Sequence, residues 1–193
     1  MSRIKKVIYE EATPDLKKLY QEVEAEYKDV TNMKAILLLS KPALDATLDW
    51  YKLYDVVKSF LGERRTILYC DAISRENACI LCSSFMNRSI LKAGDDPDNL
   101  RLDEKDKAII DFGTQLARDP NRVSDKLYEG IKAFLSDKEI IELVIFGALM
   151  VLNNIFNSII QVDPDESLDG YVVNPEKAFA GSIRFNLLKK DKK

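Results

Sequence analysis

The stretch Asn77-Ala78-Cys79-Ile80-Leu81-Cys82 contains two of the three cysteines in a 193-residue chain that has no histidine. Two thiols three positions apart on a helix lie close enough to form a disulfide, and a thiolate is the attacking group in thiol–disulfide exchange. The missing histidines remove the commonest general base and the commonest metal ligand. This combination favours thiol redox chemistry.

Other interpretations of the cysteines remain open. Free cysteine is among the most often buried residue types, so Cys79 and Cys82 could simply fill an apolar core. A structural zinc site needs four nitrogen or sulfur ligands, and Cys70 is the only further thiol. We therefore expect neither a metal nor a cofactor. Cys70 is either a third exchanging thiol, folded back beside the pair, or an inert buried residue, and the inert interpretation is favoured.

The segment from Glu63 to Ala93 is too long for one ordinary helix, so we place a break near Asn77. Asn is a favoured N-cap, which puts Cys79 in the first turn of a new helix and Cys82 just beyond it. The unpaired amides and positive dipole of that turn would stabilise a thiolate. If the helix is instead continuous, Arg75 lies on the face of the two cysteines. Either geometry would lower a thiol pKa.

Helical periodicity dominates the remaining sequence, and no segment shows convincing strand alternation. Helices are predicted to begin at Thr13-Pro14, near Pro42 and at about Asp103, and Gly62 is well placed to end the second. A further short helix is expected at about 126–135. The sequence therefore predicts an all-α fold.

Ser136-Asp137-Lys138-Glu139 has the spacing of a capping box and begins the most apolar segment of the chain. Leu143 to Leu152 contains no polar side chain, but its ten residues are far fewer than the roughly 20 that span a bilayer. A helix that is apolar all round must be buried all round, so we expect a central helix or a subunit interface. Asn153, Asn154 and Asn157 would cap this helix, bridge subunits or border a pocket.

The bulk composition limits the classes of function. The chain is 46% hydrophobic and 32% charged, which suits one compact domain, and a net charge of −3 offers no basic surface for nucleic acid. We assign residues 1–165 to the domain and 166–193 to a C-terminal arm that packs on its own domain or on a neighbour. An odd number of cysteines and no visible secretory signal predict a reducing cytoplasm and no membrane association.

The run from Arg65 to Gly94 resembles the carboxymuconolactone decarboxylase and alkylhydroperoxidase D-like family. In that family an Arg-rich helix leads through an Asn-Gly-Cys turn into C-x-x-C and a helix that ends in Ala-Gly. This chain has Asn77-Ala78-Cys79, then Cys82, then Lys92-Ala93-Gly94. The resemblance, to peroxidase-related members, covers about residues 40 to 165 and continues at Leu102-Asp103-Glu104-Lys105, Phe112, Leu116, Asp119-Pro120 and the run from Ser136 to Val144.

This resemblance implies an alkylhydroperoxidase D-like all-α fold that assembles as a dimer, trimer or hexamer. The redox-active members of the family are small disulfide reductases and peroxidases. In them the second cysteine attacks the peroxide and the first resolves it as a disulfide. By position, Cys82 would be peroxidatic and Cys79 resolving. A dithiol donor, such as a lipoyl group or a thioredoxin-like protein, would then restore the pair.

Three positions depart from the pattern of the redox-active members. They place a histidine four residues after the second cysteine and a glutamate twelve residues before the first, where this chain has Met86 and Ile67. Leu81 stands where an aromatic residue is usual. Glu76 and Asp71 could replace the missing proton acceptors, or both could be ordinary surface charges.

An unassisted thiol has a pKa near about 8.5, so the loss of the relay predicts a slow peroxidase or none. The retained cysteine pair favours a thiol redox protein with weak peroxidase or disulfide reductase activity on a peroxide or disulfide substrate. One alternative is a helical oligomer that has lost its chemistry and acts as an interaction protein. A lactone decarboxylase comes last, because a chain without histidine has few acid–base groups to offer.

Overall fold

The structure is a computed structural model that describes residues 1–190; residues 191–193, the end of the predicted arm, lie outside the described part. Within residues 1–190 the chain forms α-helices and short 3-10 turns and no β-strand, which confirms the all-α class. The α-helices are α1 (Pro14–Tyr27), α2 (Asn32–Leu37), α3 (Lys41–Leu61), α4 (Glu63–Glu76), α5 (Ile80–Lys92), α6 (Glu104–Arg118), α7 (Asp125–Lys132), α8 (Asp137–Ile160), α9 (Pro175–Ala178) and α10 (Ile183–Lys190).

Most helix ends lie where the local sequence placed them. Pro14 occupies the first position of α1, and Gly62, with φ of 80°, ends α3. Asp103 caps α6 through the amide of Asp106, at 2.7 Å. The predicted capping box at the start of α8 is present, with both reciprocal hydrogen bonds formed. These ends depend on neighbouring residues, which explains why the sequence located them.

The break between α4 and α5 is confirmed, but its capping residues differ from the prediction. Asn77 is the C-cap of α4, and Cys79, not Asn77, is the N-cap of α5. Ala78 between them is in the left-handed conformation, with φ of 54°. That conformation costs an L-residue about 1–2 kcal/mol, which the glycine of the family motif avoids. A continuous helix carrying Arg75 on the cysteine face is thereby excluded.

The core is centred on Tyr69, which is fully buried on α4 between α6 and α8. Its ring lies 6.5 Å from that of Phe112 and 6.2 Å from that of Phe146, and its hydroxyl donates to the carbonyl oxygen of Leu143 at 3.1 Å. Gly113 and Gly147 face the tyrosine so closely that a Cβ on either would clash with it. Small residues on two helices therefore allow α4 to pack tightly between them.

Helix α8 is only half buried within the chain, so it is not a helix enclosed by its own domain, and the alternative of a subunit interface stays a prediction. Ile141, Ile145, Leu152, Ile155 and Ile159 are 40–65% exposed. By length and mean hydropathy, 2.0, Asp137–Ile160 could cross a membrane, although 39% of its most apolar window is buried in the fold. The apolar run of ten residues is shorter than the helix, because Asn153 and Asn154 interrupt it and further apolar residues follow at 155, 156, 159 and 160.

The arm packs on its own domain, one of the two arrangements that the sequence left open. Phe179 is buried, and Ser182 Oγ donates to the carbonyl oxygen of Glu76 at 2.7 Å. The amide of Val173 donates to Ser84 Oγ on α5 at 3.1 Å. These contacts place the arm against the ends of α4 and α5 that flank the cysteine turn.

Candidate functional site

Cys79 and Cys82 are joined by a disulfide, with their Cα atoms 5.4 Å apart. Cys79 takes the N-cap position in place of a hydroxyl or carboxylate side chain, and its Sγ accepts the amide hydrogen of Cys82 at 3.3 Å. Both side chains are buried. In the reduced protein the same amide would stabilise a Cys79 thiolate, because it belongs to the unpaired donors at the start of α5.

Asn157 from α8 contacts the second sulfur. Its Nδ2 donates to Cys82 Sγ at 3.2 Å, and its side chain is 7% exposed. Its Oδ1 has no hydrogen-bond partner within residues 1–190. In the reduced protein, a donor directed at this sulfur would favour the thiolate over the neutral thiol. The chain spacing gave no indication of this contact, because the two residues lie 75 positions apart.

Asn154 connects α8 to the cysteine turn through hydrogen bonds. Its Oδ1 accepts from Asn77 Nδ2 at 3.0 Å, and its Nδ2 donates to Ser74 Oγ at 3.4 Å. The carbonyl oxygen of Ser74 in turn accepts the amide hydrogen of Cys79 at 3.0 Å. Asn153 and Asn157 line the cavity described next, which is one of the roles that the sequence left open, whereas Asn154 is not part of its lining.

Cys82 lies in the wall of a cavity of about 280 Å³ between α2, α3, α5 and α8. Half of the lining residues are aromatic or contain sulfur, and most of the others are polar or charged. The lining residues are Tyr27, Asp29, Thr31, Met33, Lys34, Trp50, Tyr51, Leu81, Cys82, Phe85, Met86, Arg88, Ser89, Met150, Asn153 and Asn157. A concave site lined by aromatic and polar side chains, beside a reactive group, is typical of a binding site for a small molecule.

Lys34 is the charged group of this cavity that sequence analysis missed. It is 2% exposed, its Nζ donates to the carbonyl oxygen of Asp29 at 2.8 Å, and Nζ lies 4.6 Å from the ring centroid of Tyr51. Burial lowers the pKa of Lys34, while Asp29 and Asp165 act against that shift. Burial also raises the pKa of Tyr51 to about 12, so its hydroxyl stays protonated at neutral pH. The sequence feature that could have indicated a buried Lys34 is its position as the only charged residue in the apolar run 33–38.

The two positions of the missing relay are apolar in the structure as well. Met86 lines the cavity together with Cys82. Ile67 is buried with Leu68 and Ile90, and Met86 packs against that same cluster. Neither position supplies an acid or a base.

Glu76 and Asp71 are not surface charges, which corrects that interpretation. Glu76 is 3% exposed and accepts from Arg118 Nη2 at 3.0 Å and from the amide of Ile183 at 3.3 Å. Asp71 is buried and accepts from Arg75 Nε at 2.6 Å. The described residues place no hydrogen bond between either carboxylate and a cysteine sulfur. This face of α4 points toward α6 and the arm, so Glu76 does not replace the missing proton acceptor.

Cys70 is wholly buried and is not part of the disulfide. Burial raises its pKa well above the ordinary value, with a further contribution from the charge of Asp71. A buried thiol with a raised pKa is a poor nucleophile, which agrees with the inert interpretation. Among residues 1–190 no group of three His, Cys, Asp or Glu side chains could hold a metal ion.

No protein-family model matches the chain, and no curated protein sequence matches it. Several solved structures do. They include a protein of unknown function from Agrobacterium tumefaciens, described as a putative antioxidant defence protein AhpD, at 16% identity and a TM-score of 0.59 over 67% of this chain and 94% of that one. An uncharacterised peroxidase-related protein with an alkylhydroperoxidase AhpD core, from Ralstonia eutropha JMP134, matches at 16% identity and a TM-score of 0.65. The match covers 86% of this chain and 94% of that one.

The debrominase Bmp8 matches at 15% identity and a TM-score of 0.68, over 87% of this chain and 95% of that one. A further structure of Bmp8 is a cysteine-to-alanine variant in complex with 2,3,4-tribromopyrrole. These likenesses establish the alkylhydroperoxidase D-like fold that the sequence resemblance predicted. At such low identity they leave the activity to be argued from the site itself.

Proposed function

We propose that the protein is a thiol redox protein of the reducing cytoplasm that acts through Cys79 and Cys82 as a disulfide reductase or weak peroxidase. The contact between Asn157 Nδ2 and Cys82 Sγ, in the wall of a cavity, carries this proposal. The cavity gives Cys82 access to a small substrate, and the amide of Asn157 is a donor that favours the Cys82 thiolate. The likeness to peroxidase-related proteins adds support.

In the proposed reaction the Cys82 thiolate attacks one oxygen of a hydroperoxide. The O–O bond breaks, the alcohol leaves after it gains a proton, and Cys82 becomes a sulfenic acid. Cys79 then attacks the Cys82 sulfur, which releases water and forms the disulfide. A dithiol donor reduces that disulfide by exchange and is itself oxidised. Because Met86 and Ile67 supply no base, we expect the first step to be slow.

A second candidate function is that of an interaction protein without catalysis. The observation that favours it is the apolar character of both relay positions, together with the exposed apolar face of α8. Contiguous exposed apolar surface marks interaction sites in soluble proteins.

Thiol labelling and peroxide turnover test the proposed function. In the reduced wild-type protein, two thiols should react with a small labelling reagent that enters the cavity. Mild peroxide treatment should lower the mass by two hydrogens, and the protein should consume peroxide in the presence of a dithiol donor. Cys79→Ser and Cys82→Ser should each abolish turnover, whereas Cys70→Ser should leave it unchanged. If the thiols of the folded reduced protein resist labelling and peroxide forms no disulfide, the pair is a core element and the interaction function replaces this one.

A further inference from the structure

A second cavity, of about 450 Å³, lies between α4, α6 and the C-terminal arm. Neither Cys79 nor Cys82 is part of its lining, and no step of the proposed redox reaction uses it. The arm closes one end, where the carbonyl oxygen of Ala178 accepts from Arg75 Nη1 at 3.3 Å and Gly181 lines the wall. The remaining walls come from α4, from α6 and from the loop before α6. What this cavity binds is therefore a separate question from the thiol chemistry.

Helices α4 and α6 run parallel along the cavity, so that their first turns lie at one end and their last turns at the other. Near the start of the two helices, Arg65 Nε pairs with Asp106 Oδ1 at 2.8 Å. At the last residue of each helix, Glu76 pairs with Arg118 at 3.0 Å. Residues that follow one another along either helix therefore follow one another along the cavity in the same order.

The end of the cavity at the earlier turns is apolar. Leu68 and Ala72 of α4 line it together with Ile110 of α6. Leu100 and Leu102, from the loop before α6, belong to the same apolar cluster as Leu68 and Ile110. From Leu68 to the last turn of α4 the helix rises by about 10 Å, at 1.5 Å per residue. This length suits a short hydrocarbon chain that lies along the two helices.

The other end is charged, and its positive groups are the accessible ones. The side chains of Asp71 and Glu76 are only 9% and 3% exposed. Those of their partners, Arg75 and Arg118, are 28% and 35% exposed. In the described part of the chain, Arg75 Nη2 and Arg118 Nη1 have no hydrogen-bond partner. A molecule in the cavity therefore meets the guanidinium side of two ion pairs, with N–H groups left to donate.

A role in helix stability accounts for only part of this arrangement. Arginine in the last turn of a helix offsets the helix dipole, and Arg75 and Arg118 both occupy last turns. That role requires neither unpartnered N–H groups nor a cavity whose far end is apolar. A cationic end joined to an apolar end instead fits a ligand with an anionic head and a short tail.

We infer that this cavity binds a small carboxylate that carries a short apolar chain, with hexanoate as the simplest example. The carboxylate accepts hydrogen bonds from the unpartnered N–H groups of Arg75 and Arg118. The chain lies along Leu68, Ala72 and Ile110. Hydrogen bonds from guanidinium to carboxylate are charge-assisted and are roughly twice as strong as neutral ones, so the head group decides the affinity. The inference does not rest on the proposed redox function.

Isothermal titration calorimetry of the oxidised protein with hexanoate, hexanamide and acetate tests the inference. The titrations are made at low salt, because salt screens partly exposed charges. Hexanoate should bind at one site per chain. Hexanamide keeps the chain and loses the charge, whereas acetate keeps the charge and loses the chain. Each should bind roughly tenfold more weakly than hexanoate, or weaker still.

Arg118→Lys locates the bound carboxylate. Lysine keeps the charge that pairs with Glu76 but lacks the planar fork with which one arginine serves two acceptors. The variant should bind hexanoate roughly tenfold more weakly than wild type and bind hexanamide unchanged. The matched control is Arg122→Lys, at a side chain that is 83% exposed and outside the cavity, and it should bind both ligands as wild type does.

The wild-type series alone can overturn the inference, whatever the variant does. It fails if hexanoate gives no saturable heat, or if hexanamide or acetate binds as tightly as hexanoate. It also fails if folded Arg118→Lys binds hexanoate as tightly as wild type, since the carboxylate would then lie elsewhere. Peroxide turnover is measured separately, so a failure of the redox function leaves this inference standing, and the failure of this inference leaves the redox function standing.

Discussion

At the scale of single residues, the chemistry of this protein depends on contacts that join distant parts of the chain. Cys82 and Asn157 meet from α5 and α8, 75 positions apart. Cys79 has a different partner, the amide of Cys82 at the start of its own helix. The two sulfurs are therefore stabilised by different donors, one tertiary and one local.

Asn157→Leu should raise the apparent pKa of Cys82 in the reduced protein. A hydrogen bond to a charged group contributes about 1.5–3 kcal/mol, which corresponds to roughly one to two pKa units. Since the folded-state pKa rises, alkylation of Cys82 at neutral pH should slow and its pH profile should shift to higher pH. The measurement is the rate of iodoacetamide labelling against pH in a Cys70→Ser, Cys79→Ser background. Asn121→Leu, on the exposed surface, should leave the profile unchanged, and an unchanged profile for Asn157→Leu would refute the role of the amide.

Met86→His combined with Ile67→Glu should supply the relay that the sequence comparison with the redox-active members of the family predicts to be missing. Ile67 belongs to the apolar cluster against which Met86 packs, and Met86 also lines the cavity beside Cys82. General-base assistance is worth about 10² to 10⁴ in rate, and we expect faster peroxide reduction with a lower apparent pKa for Cys82.

The control for the relay is Met150→His, which lines the same cavity from α8 but not at the relay position. If the double variant folds and gains nothing, the positional match to the family is wrong. If wild type already reacts rapidly, with a thiolate pKa well below about 8, Asn157 and the start of α5 suffice and the relay is not needed.

At the scale of elements, the arm and the α4–α5 turn form one packed unit. The Glu76 carboxylate, at the end of α4, pairs with Arg118 from α6 and accepts from the amide of Ile183 in α10. Its carbonyl oxygen accepts from Ser182. Helix α6 and the arm thus converge on the last residue of α4, directly before the turn that contains the cysteines.

Phe179→Ala should weaken the packing of the arm against the domain and lower the free energy of unfolding. Truncation of a buried Phe costs about 3–5 kcal/mol, and Phe179 is almost completely buried. Phe185→Ala, whose ring packs edge to face on Phe179 but is only half buried, should cost less. Chemical denaturation of the two variants measures the difference. If Phe179→Ala lowered the free energy of unfolding no more than Phe185→Ala does, burial of the Phe179 ring would contribute little to the packing of the arm.

At the scale of the whole molecule, the exposed face of α8 is an apolar surface that the fold leaves open. It continues into an apolar groove of about 560 Å³ toward α3, lined by Ala43, Ala46, Leu152, Ile155 and Ile159 among others. Obligate assemblies bury large apolar interfaces of this character. The sequence predicted an assembly through this helix, and the exposed face keeps that prediction open to test.

Wild-type protein should therefore scatter light as an oligomer, above the 22.0 kDa of one chain, at micromolar concentration. Ile155→Glu places a charge in the centre of the exposed face and should shift the population to monomer, because an unpaired buried charge is costly at an interface. Val172→Glu, at a similarly exposed position on the arm, should not. A wild-type mass of about 22 kDa would contradict the prediction.

The sequence alone determined the features that depend on neighbouring residues. Pro14, Gly62, Asp103 and the box at Ser136 set helix ends, because a cap is made by side chains within a few positions of the amides they satisfy. The break near Asn77 belongs to the same class. The family resemblance, carried by local motifs, likewise located the cysteine pair and the fold.

Only the tertiary structure decided what surrounds the sulfurs. Asn157 and Lys34 reach the cavity from α8 and α2, while Glu76, adjacent to the pair in sequence, turns toward Arg118. Glu76 ends α4 and Cys79 begins α5, and the left-handed turn at Ala78 redirects the chain between them, so proximity along the chain does not predict proximity to Cys82. Which buried polar group faces which sulfur depends on how four helices pack together, and that packing is a property of the whole fold.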